Sequence, residues 1–341
     1  MQQEQEATIH EVDHKVTEGK TPRSRDTLKK GIGRLGTLGS VLLATILLII
    51  VFSILSPYFL TLNNFVNIFR QSAPLAVVAV GITIVIISGG IDLSVASNIS
   101  LTSIILAILI KNMGISLPVS IILVFILGIL LGLFNGLLIT ILKIPAIIAT
   151  LATAMTFSGI AFTITQGYSI NLPVESAIRY LGSGVIWLIP VSIIIVVILY
   201  FIIHLLLQNT GFGRIIYGLG GNVEAVYLSG ISVRKYTLII YMVCGFFAAL
   251  ASILLTARVA NGHPNNGGGM EMDAIAAAVL GGTSIYGGVG NIWGTLIGVL
   301  TMTIIINGLN LLNINPYIQV IVKGLVLAAA VAISSFRTAK R

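Results

Sequence analysis

The chain has 341 residues, 56% of them hydrophobic and only 9% charged, with a mean hydropathy of +1.05. A soluble domain carries about 25% charged residues, so the composition excludes a water-soluble globular protein. The formal net charge of +8 comes with no basic stripe interleaved with aromatics, which excludes a nucleic-acid partner.

Residues 1–34 hold 7 of the 19 Lys+Arg and 6 of the 11 Asp+Glu. This stretch reads as a retained, poorly ordered cytoplasmic tail. It is too long and too mixed in charge for a secretory signal. Within it, Gly19-Lys20-Thr21 resembles the end of a phosphate-binding loop. The motif requires a glycine five positions before Gly19, and His14 stands there instead.

Crossing a bilayer takes about 20 apolar residues in a helix. Such runs are predicted near 37–56, 72–88, 95–111, 117–139, 145–165, 185–206, 237–257, 290–311 and 317–335. A shorter Gly/Ala-rich run at 273–286 is ambiguous, either a span or a short re-entrant helix packed inside protein. With it the chain has about ten segments, both termini in the cytoplasm. The inside then collects 14 of the basic residues. The outside collects Arg70, Lys111, Arg179 and Arg258, and Lys323 falls within the last segment. The expected class is an all-α integral membrane protein with broken or re-entrant helices. Its divisions are a polar cytoplasmic tail over 1–35, a transmembrane domain over 36–336 and a cytoplasmic C-terminus over 337–341.

Taken in order, the first interruption is Ser88-Gly89-Gly90-Ile91-Asp92-Leu93-Ser94, between the second and third segments. Two glycines break the helix. Asp92 or Ser94 then caps the next one, or Asp92 serves as an ionisable group at membrane depth. Gly128, Gly132 and Gly136 follow at intervals of four, as do Gly290, Gly294 and Gly298. Each row puts small residues on one helix face, for static tight packing or for a sliding contact.

Asn135, Asn307 and Asn310 are costly in lipid and are expected to face protein or a cavity. Asn307 and Asn310 share a face by their spacing. Such neutral hydrogen-bonding groups suit a polyhydroxylated solute or interhelical bonds. Asn135-Gly136-Leu137 followed by Pro145, and Asn307-Gly308-Leu309 followed by Pro316, hint at an inverted repeat.

The long loop at 207–236 contains Gly211-Phe212-Gly213-Arg214 and then a very short predicted helix from Asn222 to Ser229. Asn222 is a good N-cap, Glu224 suits the positive helix start and Gly230 suits its stop. A helix of about two turns is marginal alone and needs a surface to pack on. The second interruption, Gly281-Gly282-Thr283-Ser284-Ile285-Tyr286-Gly287-Gly288-Val289-Gly290, is half glycine. It is either a flexible gate or a tight turn.

Metal-ligand spacing is absent. His10 and His14 lie in the tail, and His204 and His263 fall on opposite sides of the membrane in this topology. The one cysteine, Cys244, lies in an apolar run and can form no intrachain disulfide.

Several of these stretches together carry a family resemblance. Gly90-Ile91-Asp92-Leu93-Ser94, the loop from Gly213-Arg214 to Gly230-Ile231, and Met272-Asp273-Ala274-Ile275-Ala276 running into Gly281-Gly282-Thr283-Ser284 resemble the permease subunits of bacterial ABC monosaccharide importers, the ribose-type permeases above all. Asn307-Gly308-Leu309-Asn310-Leu311-Leu312 and Val322-Lys323-Gly324 look similar too. The resemblance runs in order from about residue 56 to 333 and leaves out the tail. One departure is Ala96 and Asn98 after Val95, where the family pattern has a glycine and a more apolar stretch.

The resemblance implies two permease subunits, ATPase subunits on the cytoplasmic face and an extracytoplasmic sugar-binding protein. ATP and Mg would be used by the ATPase, with no cofactor on this chain. Gly213, Arg214, Gly221, Asn222, Glu224, Ala225, Leu228 and Gly230 are then the ATPase-coupling candidates. Asp92, Ser94, Asn135, Thr283, Ser284, Asn307 and Asn310 are the candidates for the translocation path or gate. An ion-coupled secondary transporter is the rival reading, and within the favoured class a branched-chain amino acid or an autoinducer remains an alternative solute.

Overall fold

The structure is a computed structural model that describes residues 24–173, 176–187 and 189–339. The tail motifs at His10, His14 and Gly19-Lys20-Thr21 lie outside the described residues. The chain divides into a unit over Met1–Ser40 and a unit over Val41–Arg341. Every residue of the candidate site lies in the second.

The described chain is helical almost throughout. Helix α1 spans Ser24–Leu55, α2 Leu62–Ile87 and α3 Val95–Ala107, which continues as a π-helical turn over Ile108–Asn112. Then come α4 (Leu117–Thr140), α5 (Ala146–Thr165), the short α6 (Arg179–Ser183) and α7 (Val191–Asn209). They are followed by α8 (Gly211–Gly221), α9 (Val223–Leu228), α10 (Val233–Val259), α11 (Met270–Leu280), α12 (Ile292–Leu311) and α13 (Pro316–Ala339). Four two-residue strands pair in the loops: β1 (Ile170–Asn171) with β4 (Asn261–Gly262), and β2 (Val185–Ile186) with β3 (Ile189–Pro190).

Among the described residues, seven helices are long and apolar enough to cross a membrane: α2, α3 with its π turn, α4, α5, α7, α10 and α12. Their apolar character does not track their burial. In α2, 89% of the most apolar window is buried, against 22% in α4 and 28% in α5 and α7. A helix that is apolar all round yet exposed on most of its surface requires an apolar solvent. Ile122, Leu130, Leu151, Met155, Ile198 and Phe201 are exposed in this way. Helix α2 is the hub. It packs on α10, α12, α11 and α7, and α10 packs in turn on α4 and α3.

Both glycine rows are close-packing seams. Gly128 and Gly132 lie on α10, where an added Cβ would overlap the carbonyls of Gly245 and Tyr241. Gly298 lies on α11 in the same way, against the Ala277 carbonyl, and a Cβ on Gly281, just past α11, would overlap the backbone of Gly294.

Three expected boundaries shift. Helix α1 already begins at Ser24, inside the stretch read as a poorly ordered tail. Helix α2 begins ten residues before the apolar run at 72, because Thr61 caps it and its first turns bury Asn64 and Ile68 rather than a continuous apolar surface. The run at 273–286 is helical only over Met270–Leu280. At 1.5 Å per residue that helix covers about 16 Å, half of a hydrocarbon core about 30 Å thick.

Candidate functional site

The first break is built around a buried carboxylate. Asp92 is 2% exposed, and its Oδ1 accepts the Ser94 amide at 2.9 Å and the Ser94 hydroxyl at 2.6 Å. An Asp that bonds the backbone two residues on is a local turn former. Ser94 Oγ in turn accepts from Asn135 Nδ2 of α4 at 2.7 Å, and Asn135 Oδ1 accepts from Thr153 Oγ1 of α5 at 2.6 Å. Every donor in this chain points towards Asp92. Thr150 Oγ1 and Tyr241 OH close the knot on the Ile91 carbonyl, at 3.3 and 3.4 Å. The break between α2 and α3 is thus tied to α4, α5 and α10 at once. Asp92, Ser94 and Asn135, singled out in the sequence, meet here. Asp92 satisfies the turn that precedes α3, while the α3 N-cap residue, Ser94, makes no side-chain cap bond of its own.

The second break, 281–290, is a tight turn. Ser284 N donates to the Val289 carbonyl at 2.9 Å and Gly287 N to the Ser284 carbonyl at 3.0 Å. Gly288 N reaches across to the Ile87 carbonyl, the last residue of α2, at 2.8 Å. The Thr283 hydroxyl is buried and has no hydrogen-bond partner among the described residues. Ser284 Oγ accepts from the Tyr286 amide at 3.3 Å.

The two breaks meet at the C-terminal end of α8. Gly220 lies against Ile87 and Gly288 so closely that a Cβ would overlap the carbonyl oxygen of one and the amide of the other. A Cβ on Gly287 would come 2.9 Å from Gly220 Cα and 3.0 Å from Gly89 Cα. Tyr217, one turn back on α8, donates its hydroxyl to the Gly290 carbonyl at 3.0 Å.

From that junction the chain runs straight into α9. The 207–236 stretch therefore holds two helices, the first of which the sequence reading left as a glycine motif. Thr210 caps α8 by accepting the Gly213 amide at 3.2 Å. Gly213 is buried against Leu207, while Arg214 is exposed. Asn222 caps α9 by accepting the Ala225 amide at 3.0 Å. At the other end Gly230 N donates to Tyr227 O and Ile231 N to Val226 O, with Gly230 at φ +78°. This is the bond pair of a Schellman stop, which favours glycine. Only Val226 of α9 is buried; Val223, Glu224, Ala225, Tyr227 and Leu228 are exposed. A capped helix of this length that shows three large apolar side chains to solvent has a free contact face.

Asn307 and Asn310 part company. Asn307 exchanges two hydrogen bonds with Asn64 of α2, at 3.0 and 2.9 Å, in a buried amide pair. Asn310 is exposed and accepts from Gln319 of α13 at 2.8 Å. Spacing puts them on one face of α12, where they take different partners because α13 turns back over the last turn of that helix. Sequence reasoning also missed a pair of charges. Lys323 Nζ of α13 donates to Asp273 Oδ2 of α11 at 2.6 Å. Its signal was two opposite charges, each inside an apolar run.

The family model for the branched-chain amino acid transport system permease component matches residues 64–331. The chain belongs to this permease family. Among its relatives, the ribose import permease protein RbsC of Haemophilus influenzae is 40% identical over 307 residues, covering 88% of this chain and 93% of the relative. The Bacillus subtilis protein of the same name is 43% identical over 298 residues, with 87% and 92% covered. The xylose transport system permease protein XylH of Escherichia coli is 32% identical over 338 residues, with 81% and 86% covered. No solved structure matches the chain. As a permease it is a multi-pass membrane protein and a transport component rather than an enzyme.

Proposed function

We propose that this chain is the membrane-spanning subunit of an ATP-driven importer of the bacterial inner membrane, and that it carries a ribose-like pentose handed over by an extracytoplasmic binding protein. The observation that carries the reading is identity of 40% or more, over some nine-tenths of both chains, to proteins named as ribose import permeases. The xylose relative, at 32%, stands further off.

In this reading α9 is the element that docks on a partner ATPase. Its caps hold it as a rigid short rod, and its free apolar face supplies the contact. ATP and Mg belong to that partner. Gly213 and Gly221 set the path of α8 into α9. Arg214, Glu224, Ala225 and Leu228 lie exposed around the contact, and Asn222 and Gly230 hold its ends.

Ten crossings, both termini inside and a 207–236 loop in the cytoplasm also belong to the proposal, with a polar tail over 1–35, a membrane domain over 36–336 and a short C-terminus beyond. The seven long helices are joined in it by the apolar helices at Gly39–Leu55 and Pro316–Ala332. The tenth crossing is α11 with the second break, which together run alongside α2 from Asp273 to Gly288. The two helix–proline–helix corners, α4–Pro145–α5 and α12–Pro316–α13, support an inverted repeat.

The test is uptake in proteoliposomes. The chain with its ATPase and binding protein should concentrate labelled ribose when ATP is inside, and the chain alone should not, with or without a proton gradient. Uphill uptake by the chain alone on a proton gradient would favour the ion-coupled rival. Glu224→Lys and Ala225→Trp should keep the permease in the membrane while the ATPase no longer co-purifies, because the first sets like charges against each other across the contact, at a cost of several kcal/mol, and the second adds bulk there. Normal co-purification in both variants would sink the docking role.

A further inference from the structure

At the end of α2 remote from the glycine junction lies a cavity of about 190 Å3. Its polar lining comes from four helices: Gln71 of α2, Arg258 of α10, Asp273 of α11 and Thr303 of α12. Pro74 and Leu255 are among its apolar walls. Gln71 and Ile87 are 16 positions apart on α2, which places the cavity about 24 Å from the junction. In the proposed topology it lies in the outer half of the membrane domain.

Two of the lining groups are not satisfied by the protein. Arg258 makes no ion pair or hydrogen bond among the described residues, yet it is partly buried. A guanidinium carries five donors, and removing such a charge from water without partners is costly. Asp273 has its Oδ2 held by Lys323, which fixes the carboxylate, and no protein group bonds Oδ1 among the described residues. The cavity therefore presents unspent donors on one side and an unspent acceptor on the other. It is smaller than the ~300–1,000 Å3 of drug-sized pockets and suits a solute of about ten heavy atoms.

We propose that this cavity binds one neutral, polyhydroxylated solute of pentose size, with Arg258 donating to its oxygens, Asp273 accepting from its hydroxyls and Lys323 acting as a positioning residue for Asp273. The proposal rests on the importer reading above and names where the sugar contacts the chain. Hydroxyl groups both donate and accept, so one ligand answers both charges. A zwitterionic amino acid fits less well, because Lys323 already neutralises the carboxylate that its ammonium would need. An anion would answer Arg258 but bring no donor to the Asp273 Oδ1. Pro74 and Leu255 offer surface to the C–H faces of a sugar ring. Neither Arg258 nor Asp273 was among the path candidates taken from the sequence, because each needs the other to be read as a site.

The test uses the complete transporter in proteoliposomes, with labelled ribose, permease variants and two readouts: sugar uptake, and ATP hydrolysis stimulated by the sugar-loaded binding protein. Arg258→Gln and Asp273→Asn should each lower uptake about tenfold or more, the loss of one hydrogen bond to a charged group. Stimulated hydrolysis, read alongside co-purification of the ATPase, tells a lost solute contact from a lost assembly.

The pair Asp273–Lys323 gives the decisive variant. Removing both members of an ion pair is often tolerated where removing one is not. If Asp273 matters only as the partner of Lys323, Asp273→Asn with Lys323→Met should restore uptake. If it contacts the solute, the double variant should insert and assemble normally and still fail to transport. Restored uptake in the double variant, or wild-type uptake in Arg258→Gln, would overturn the site. If the wild-type complex transports leucine and not ribose, the importer's sugar assignment fails first and the site as described fails with it.

Discussion

The two interruptions of the helical framework, at 88–94 and 281–290, touch one another but are held by different means. The first is fixed by side chains: Asp92, Ser94, Asn135 and Thr153 form one line of hydrogen bonds inside an apolar body. The second is fixed chiefly by backbone: its turn is closed by amide-to-carbonyl bonds, and at Gly220 it meets α8 where side chains are missing, with the Tyr217 hydroxyl adding one bond at its edge. A side-chain knot can loosen by one hydrogen bond at a time. A backbone contact at full packing density has no intermediate setting. The difference separates an anchor from a joint, and substitutions at each should fail in different ways.

The largest effect should come from the joint. Gly220→Val places two methyl groups where even a Cβ overlaps Ile87 and Gly288, and both neighbours are backbone. Overpacking costs about 1–3 kcal/mol and sometimes more. We expect the purified variant to melt well below the wild type in detergent, and ATP-driven uptake to be abolished. A wild-type melting curve would show that the joint opens freely.

Next is the anchor. Asn135→Leu removes the bonds to Ser94 and Thr153 together, but Thr153 retains the Thr150 carbonyl at 3.1 Å as an alternative acceptor. The expected loss is about 1–3 kcal/mol. It should be read as a lower melting temperature together with faster deuterium exchange confined to 88–98. Exchange spreading equally into 281–290 would mean that the two breaks are one unit rather than two.

Smaller again is Tyr217→Phe, which deletes the bond to the Gly290 carbonyl at the edge of the joint. It should cost about 0.5–1.5 kcal/mol, visible in melting and with assembly intact. Smallest is Gly221→Ala. Nothing lies within 4 Å of a Cβ there, although the neighbouring position tolerates none. Its melting temperature should match the wild type or rise slightly, because alanine outranks glycine in a helix by up to about 1 kcal/mol. A drop as large as that of Gly220→Val would contradict the packing.

Hydropathy located nearly every apolar helix, since the bilayer sets a length that composition alone reveals. It failed where helix and apolarity part. The first turns of α2 carry Asn63, Asn64, Asn67, Arg70 and Gln71, so no apolar run marks them. Local cap chemistry was legible for the same reason that it is local: Asn222 and Gly230 act within a few residues of themselves. Asp92 as a turn former was readable, but its link to Asn135 runs through Ser94, 41 residues from that asparagine, and its link to Thr153 runs through a third helix. The Asp273–Lys323 pair, the Asn64–Asn307 pair and the Gly220 contact are likewise tertiary. No spacing within one helix encodes them, and the spacing that joins Asn307 to Asn310 says nothing of their separate partners on α2 and α13.

The contact of Gly220 with Ile87 and Gly288 also bears on timing. A contact made by long side chains has slack, since each can take up a displacement by hopping between staggered rotamers. Backbone against backbone has none. A shift of α8 at Gly220 presses at once on the end of α2 and on the 281–290 turn. The chain thereby has a shaft without play at one point: whatever shifts Gly220 must shift the backbone of Ile87 and Gly288 with it.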